Sequence, residues 1–144
     1  MSSEVPWRYA PGSVYEDDGD VQFFHPLYMA PDRYPHFDQI CMPIMQKLEG
    51  FVTLMRAKMN MSLKKDKVSR KGFHVDIETA PQYYEVMNTS IFYFNTTDGP
   101  TCFEDGTKVD CVENRLVTFP MGTKHCGCYA TNAQRRIVVN INWF

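Results

Sequence analysis

The stretch RRIVVNINWF, residues 135–144, places Arg136, Val138, Asn140 and Asn142 on one parity and Ile137, Val139, Ile141 and Trp143 on the other. Side chains of a β-strand point alternately to opposite faces. The spacing therefore predicts a strand with one wholly apolar face and one face carrying a guanidinium and two amides. The apolar face suits packing on a helix. The polar face then looks into a β-enclosed interior, where Arg and Asn are costly without partners. Arg135 has the opposite parity to Arg136 and is expected in solvent.

Working outward, FVTLMRAKMNMSL (residues 51–63) sets Arg56, Lys58 and Asn60 on one parity and Met55, Ala57, Met59 and Met61 on the other. GFHVDIE, NTSIFYFN, TCFEDG, TKVDCV, NRLVTFP and HCGCYA read as further short strands, with TTDGP as one of the turns between them. Such spacing of short strands indicates a β-sandwich or barrel. One helix is expected within residues 33–50, because Phe37, Ile40, Cys41, Ile44, Met45 and Leu48 share a helical face and Glu49-Gly50 supplies a stop. Pro43 lies off that face and is expected to kink the helix or start a second one. Residues 1–32 read as an irregular arm with short strand pieces, Val21-Gln22-Phe23-Phe24 being the best strand candidate. The fold class is mostly β with a little α, in one domain spanning residues 1–144.

A formal net charge of −2 gives no electrostatic case for nucleic acid or an anionic membrane as partner. The basic run from Lys64 to Lys71 reads as a solvated loop, and no apolar run is long enough to span a membrane. The first residues lack the apolar stretch of a secretory signal, and five cysteines make an odd number, so reduced thiols in a cytoplasm are expected.

In GFHVDIET, residues 72–79, a strand would put His74 and Asp76 on the face opposite Phe73, Val75 and Ile77. That pair can chelate a divalent metal or form a surface ion pair. His125, tens of residues later in HCGCYA, can supply a third ligand. Two histidines and a carboxylate make the facial triad of non-haem Fe(II) oxygenases, against surface or core histidines as the plainer reading. Arg136, facing the same interior, can grip a dicarboxylate bidentately or serve as a structural ion-pair partner. Tyr93 is either a core aromatic or a pocket donor. Arg56, Lys58, Asn60 and Asn142 are candidate substrate contacts or simply an exposed strand face. Zinc held by Cys102, Cys111, His125, Cys126 and Cys128 competes, but only C-x-C spacing occurs, and a strand would turn Cys126 and Cys128 away from His125.

Together, His74-x-Asp76, SIFYFN, DGPTCF, NRLVTFP, His125 and RRIVVNINWF resemble the Fe(II)/2-oxoglutarate-dependent dioxygenases, in particular the prolyl 4-hydroxylase-like branch with its small phage-encoded members. The resemblance covers roughly residues 50–144. It implies a double-stranded β-helix (jelly-roll) core over residues 51–144, with one or two helices on its outer face. It also implies His74, Asp76 and His125 as Fe(II) ligands, with Arg136, Tyr93 and Asn140 at the 2-oxoglutarate site. The implied reaction uses O2, releases succinate and CO2, and hydroxylates a C–H bond of a peptide or small-molecule acceptor. A non-catalytic metal-binding jelly roll or a pseudoenzyme is the alternative. The cytoplasm would be that of a host if a phage encodes the chain. Gly99-Pro100 stands where the family often has Gly-Gly, and Cys126 and Cys128 are outside its pattern.

Overall fold

A computed structural model describes residues 5–12 and 20–144. The elements in chain order are strands β1 (Arg8–Ala10), β2 (Gln22–Met29) and β3 (Asp32–Arg33), helix α1 (Phe37–Met45), and strand β4 (Leu54–Leu63). A short 3-10 turn (Pro81–Tyr83) then precedes β5 (Asn88–Tyr93), β6 (Thr101–Phe103), β7 (Lys108–Val109), β8 (Leu116–Pro120), β9 (His125–Gly127) and β10 (Arg135–Trp143). The larger sheet has the order β1-β2-β4-β10-β5-β8, with β3 paired to β2, and the smaller has the order β7-β6-β9. The result is a mostly β jelly roll whose barrel is not closed.

Strand β10 is ladder-bonded on both edges. Its polar parity meets β4 at Arg136↔Ser62, Val138↔Asn60, Asn140↔Lys58 and Asn142↔Arg56, and meets β5 at Asn140↔Ile91 and Asn142↔Thr89. The opposite parity packs as expected. Val139, Ile141 and Trp143 join Ala57 and Met59 of β4 against Phe37, Ile40, Cys41 and Ile44 of α1. A second apolar cluster lies between the sheets, where Ile91, Tyr93 and Val138 meet Phe103 and Phe119. The helix thus covers the outer face of the larger sheet, and the polar parity of β4 and β10 is left to the interior.

Three local expectations are corrected. The N-terminal segment is not only an irregular arm. From Gln22 it forms an eight-residue strand, β2, that pairs with β4 from Phe23↔Met61 to Met29↔Arg56. The parts of that arm at residues 1–4 and 13–19 lie outside the described residues. The helix is shorter than residues 33–50, because His36 takes a left-handed conformation (φ 69°) at its start and Pro43 sits inside its last turn without starting a second helix. GFHVDIE is no regular strand. Only the bridge His74↔His125 forms, with both N–H···O bonds at 3.0 Å, before the chain turns away. Strand β9 is already ladder-bonded to β6, and Asp76 must cross to donors on β10, as a buried carboxylate needs partners. Val75 accordingly lines the cavity beside His74 and Asp76 instead of packing with Phe73.

Ile141 is wholly buried at the centre of the helix–sheet core. Ile141→Ala should cost about 2–5 kcal/mol, read as a lower urea midpoint at unchanged slope. The Cys41 thiol, 0% exposed, is pushed up to about 12 by burial and, secondarily, by Asp38. Mass spectrometry should find it unmodified by iodoacetamide at pH 8 until denaturant is added, since only the thiolate reacts.

Candidate metal centre

Asp76 carries the site. Its side chain is 2% exposed, and Oδ1 lies 3.3 Å from His125 Nε2 and 3.7 Å from His74 Nε2. One ligand atom from each residue falls within 4.8 Å of the others, and this is the only such grouping of His, Cys, Asp and Glu among the described residues. The three side chains reach this point from the irregular segment after Gly72 and from β9, which the backbone bridge His74↔His125 holds together.

Each imidazole is oriented through its other nitrogen. His125 Nδ1–H donates to Thr123 O at 3.1 Å and His74 Nδ1–H to Gly72 O at 3.2 Å. Both Nε2 lone pairs are thereby turned toward Asp76, the arrangement in which backbone carbonyls fix the tautomer of metal-ligating histidines. Phe119 packs edge-on against His125 at a ring separation of 4.9 Å and holds the ring from behind. His125 Nε2 is buried and has no directed hydrogen bond. An orphaned buried nitrogen is costly, and a divalent cation shared with Asp76 Oδ1 and His74 Nε2 removes that cost. The donor set suits iron, manganese, cobalt or zinc.

The other carboxylate oxygen is held from β10 and β4. Asn142 Nδ2 donates to Asp76 Oδ2 at 3.1 Å, Asn140 Nδ2 reaches both oxygens at 3.3 Å, and Arg56 Nη2 lies 3.7 Å from Oδ2. Asn142 Nδ2 also reaches Thr89 Oγ1 at 2.9 Å, and Asn142 Oδ1 accepts from Arg56 Nε at 3.0 Å. Burial alone would raise the Asp76 carboxyl, but the histidines and Arg56 outweigh it and hold the group well below the usual carboxylate range. Burial likewise lowers the His74 imidazole, followed by the charge of His125. At His125 burial also pulls downward, and the proximity of Asp76 overcomes it, leaving that ring raised. A proton at His125 Nε2 and a metal ion therefore compete for one position, and metal uptake releases the proton.

The centre opens into a cavity of about 270 Å³ that also receives Arg56, Lys58, Asn60, Asn140 and Arg136. Arg136 is 7% exposed, with Nε donating to Gly99 O at 2.8 Å and Nη2 to Thr101 Oγ1 at 3.0 Å. Its guanidinium lies 5.6 Å from the Tyr93 ring, and Tyr93 Oη donates to the same Thr101 Oγ1 at 2.7 Å. Gly127 borders it so closely that an added Cβ would stand 3.1 Å from Arg136 Nη1.

Of the ten residues singled out from sequence, the structure brings eight to the cavity wall, all but Tyr93 and Asn142. Tyr93 is fully buried beneath Arg136, in place of the wall position expected of a pocket donor. Asn142 stands behind Asp76. Asn140 borders the cavity but gives its amide to Asp76 and accepts from Asn60 Nδ2 at 3.4 Å. The zinc alternative does not assemble, because Cys102, Cys126 and Cys128 form a separate apolar cluster with Phe73. Thr101, Thr89 and Gly99 support the site without having been singled out. Thr101 shares strand β6 with apolar residues, and nothing in TCF marks its hydroxyl as shared between Arg136 and Tyr93.

No protein-family model matches the chain, and no curated protein matches it in sequence. Solved structures do. An oxidoreductase of the 2OG-Fe(II) oxygenase family from Burkholderia pseudomallei superposes with a TM-score of 0.63 at 11% identity, over 98% of this chain and 74% of that one. A predicted oxalate decarboxylase from Thermotoga maritima gives 0.57 at 10% identity, over 100% and 96%. KdgF from Halomonas sp. gives 0.53 at 14% identity, over 99% and 89%. At such identities the likeness establishes the fold alone, a jelly roll.

Replacing His125 or Asp76 with Ala should abolish stoichiometric Co(II) binding, followed by visible absorption. Asn142→Ala leaves all three ligands in place and should weaken Co(II) roughly 10–100-fold.

Proposed function

We propose that the protein is a non-haem Fe(II)/2-oxoglutarate-dependent dioxygenase of the prolyl-hydroxylase-like type, hydroxylating a C–H bond of a peptide or small-molecule acceptor. The observation that carries this reading is the buried His125 Nε2, which makes no well-directed hydrogen bond and is aimed with His74 Nε2 at one oxygen of Asp76. Three ligands on one side leave the remaining coordination positions to a co-substrate and O2. With Fe(II), 2-oxoglutarate and O2 bound, the chemistry supplied is decarboxylation to succinate and CO2 with transfer of one oxygen atom into the acceptor's C–H bond.

The chain's own residues bind and orient. Asn140 and Asn142 fix Asp76 so that Oδ1 alone faces the histidines. Arg136 offers the N–H groups that Gly99 and Thr101 leave over to the distal carboxylate of 2-oxoglutarate, from a position buried enough to keep water from competing. Tyr93 acts through Thr101 and the face of its ring, positioning Arg136.

One feature favours the alternative of a metal-binding jelly roll without oxygenase chemistry. Arg136 Nε and Nη2 are already engaged with Gly99 and Thr101, as a purely structural arginine would be.

Anaerobic addition of Fe(II) and then 2-oxoglutarate separates the two readings. A visible metal-to-ligand charge-transfer band is expected on adding 2-oxoglutarate, and iron binding without any band would leave only the metal-binding protein. Arg136→Ala should raise the 2-oxoglutarate concentration at half-maximal band intensity roughly 10–100-fold, the worth of a charge-assisted pair. An unchanged midpoint would remove Arg136 from the co-substrate site.

A further inference from the structure

The cavity gathers four cationic side chains, Arg56, Lys58, Lys71 and Arg136, against two carboxylates, Asp76 and Glu78. Its formal charge is therefore positive by two units, and a divalent metal with a dianionic co-substrate leaves that surplus unchanged. Three of the cations are engaged by the protein. Arg56 bonds Asn142 Oδ1, Lys71 Nζ donates to Gln22 Oε1 at 3.2 Å, and Arg136 holds Gly99 O and Thr101.

Lys58 differs from these. Among the described residues its ammonium has neither a hydrogen-bond acceptor nor a carboxylate at ion-pair distance, and it lies 5.4 Å from the centre of the Phe24 ring. Burial, then the neighbouring Arg56, lower its pKa against the pull of Asp76. The β4–β10 register sets Lys58 opposite Asn140, whose amide holds Asp76. Lys58 thus stands at the level of the metal ligands, four residues along β10 from the arginine that closes the other end. A half-buried ammonium facing a cavity without a counter-ion is an unfavourable arrangement that an incoming anion relieves.

Building on the oxygenase reading above, we propose that the acceptor substrate carries an anionic group, a carboxylate or a phosphate, which Lys58 engages beside the metal centre. Phe24 flanks that group, and Arg56 adds a second positive charge at the same level. A neutral acceptor would leave the Lys58 charge uncompensated and would bind correspondingly worse.

The test follows succinate release by the Fe(II)-loaded protein with a panel of matched pairs: amino acids against their amides, and phosphomonoesters against their parent alcohols. We expect at least one anionic member to stimulate release, with its neutral counterpart roughly 10–100-fold less effective. Which set responds identifies the group as carboxylate or phosphate. Neutral members matching their anionic counterparts, or no anionic member stimulating, would overturn the proposal. Lys58→Met should raise the half-saturating acceptor concentration at least tenfold and Lys58→Arg should largely restore it, with the 2-oxoglutarate midpoint of the charge-transfer band within twofold of the parent protein. A tenfold rise in that midpoint instead would assign Lys58 to the co-substrate and overturn its role in acceptor binding. Absence of the band in the parent protein would refute the underlying oxygenase reading, a separate result.

Discussion

Strand β10 is held in register from both edges, and nearly everything else in the molecule depends on that constraint. Because side chains alternate, a slip of one residue exchanges the two faces completely. Asn140 and Asn142 would enter the apolar core beneath α1, and Val139 and Ile141 would turn to the polar interior face in their place. Ladders to β4 and to β5 both oppose such a slip, as does the burial of three large apolar side chains on one parity. The same backbone bonds that complete the hydrophobic core therefore aim the amides that hold Asp76.

The choice of amides has an electrostatic consequence. A carboxylate this deeply buried needs several donors to remain ionised. Arginine or lysine in direct contact would supply them but would also cancel its charge. Asn140 and Asn142 donate without cancelling it, and Arg56 stays at 3.7 Å. The negative charge at Oδ1 is preserved for whatever occupies the point between the two imidazoles. His125 Nε2, buried and 3.3 Å from Oδ1, is the other half of that arrangement.

Those features readable from sequence were those set by strand parity. The two faces of residues 135–144, the shared face of Arg56, Lys58 and Asn60, and the separation of His125 from Cys126 and Cys128 all follow from a period of two, and the structure has each of them. What parity could not give was the path of residues 72–79. His74 and Asp76 do converge, but through one backbone bridge and a turn, because tertiary donors on β10 draw Asp76 away from β9. Of β2 the sequence showed only the start, at Gln22–Phe24, because Pro26 interrupts a strand that pairs with β4 around a register shift next to that proline. The role of Asn140 belongs to the same class. Its position was legible, whereas its partner depended on where an irregular segment came to rest.

A regular strand also sets distances. At roughly 3.3 Å per residue, four positions of β10 separate the backbone of Arg136 from that of Asn140 by about 13 Å. Arg136 and the two amides that hold Asp76 are thus fixed on one rigid element, and neither can drift relative to the other as two loops would. On the adjoining strand the register pairs Ser62 with Arg136 and Lys58 with Asn140. The small hydroxyl stands at the Arg136 end and the ammonium at the Asn140 end, beside the amide that holds Asp76. Ser62 and Asn60 line the stretch of cavity between Arg136 and Lys58. Two strands paired in one register therefore place Arg136 at one end of the cavity's polar wall and Lys58 at the other.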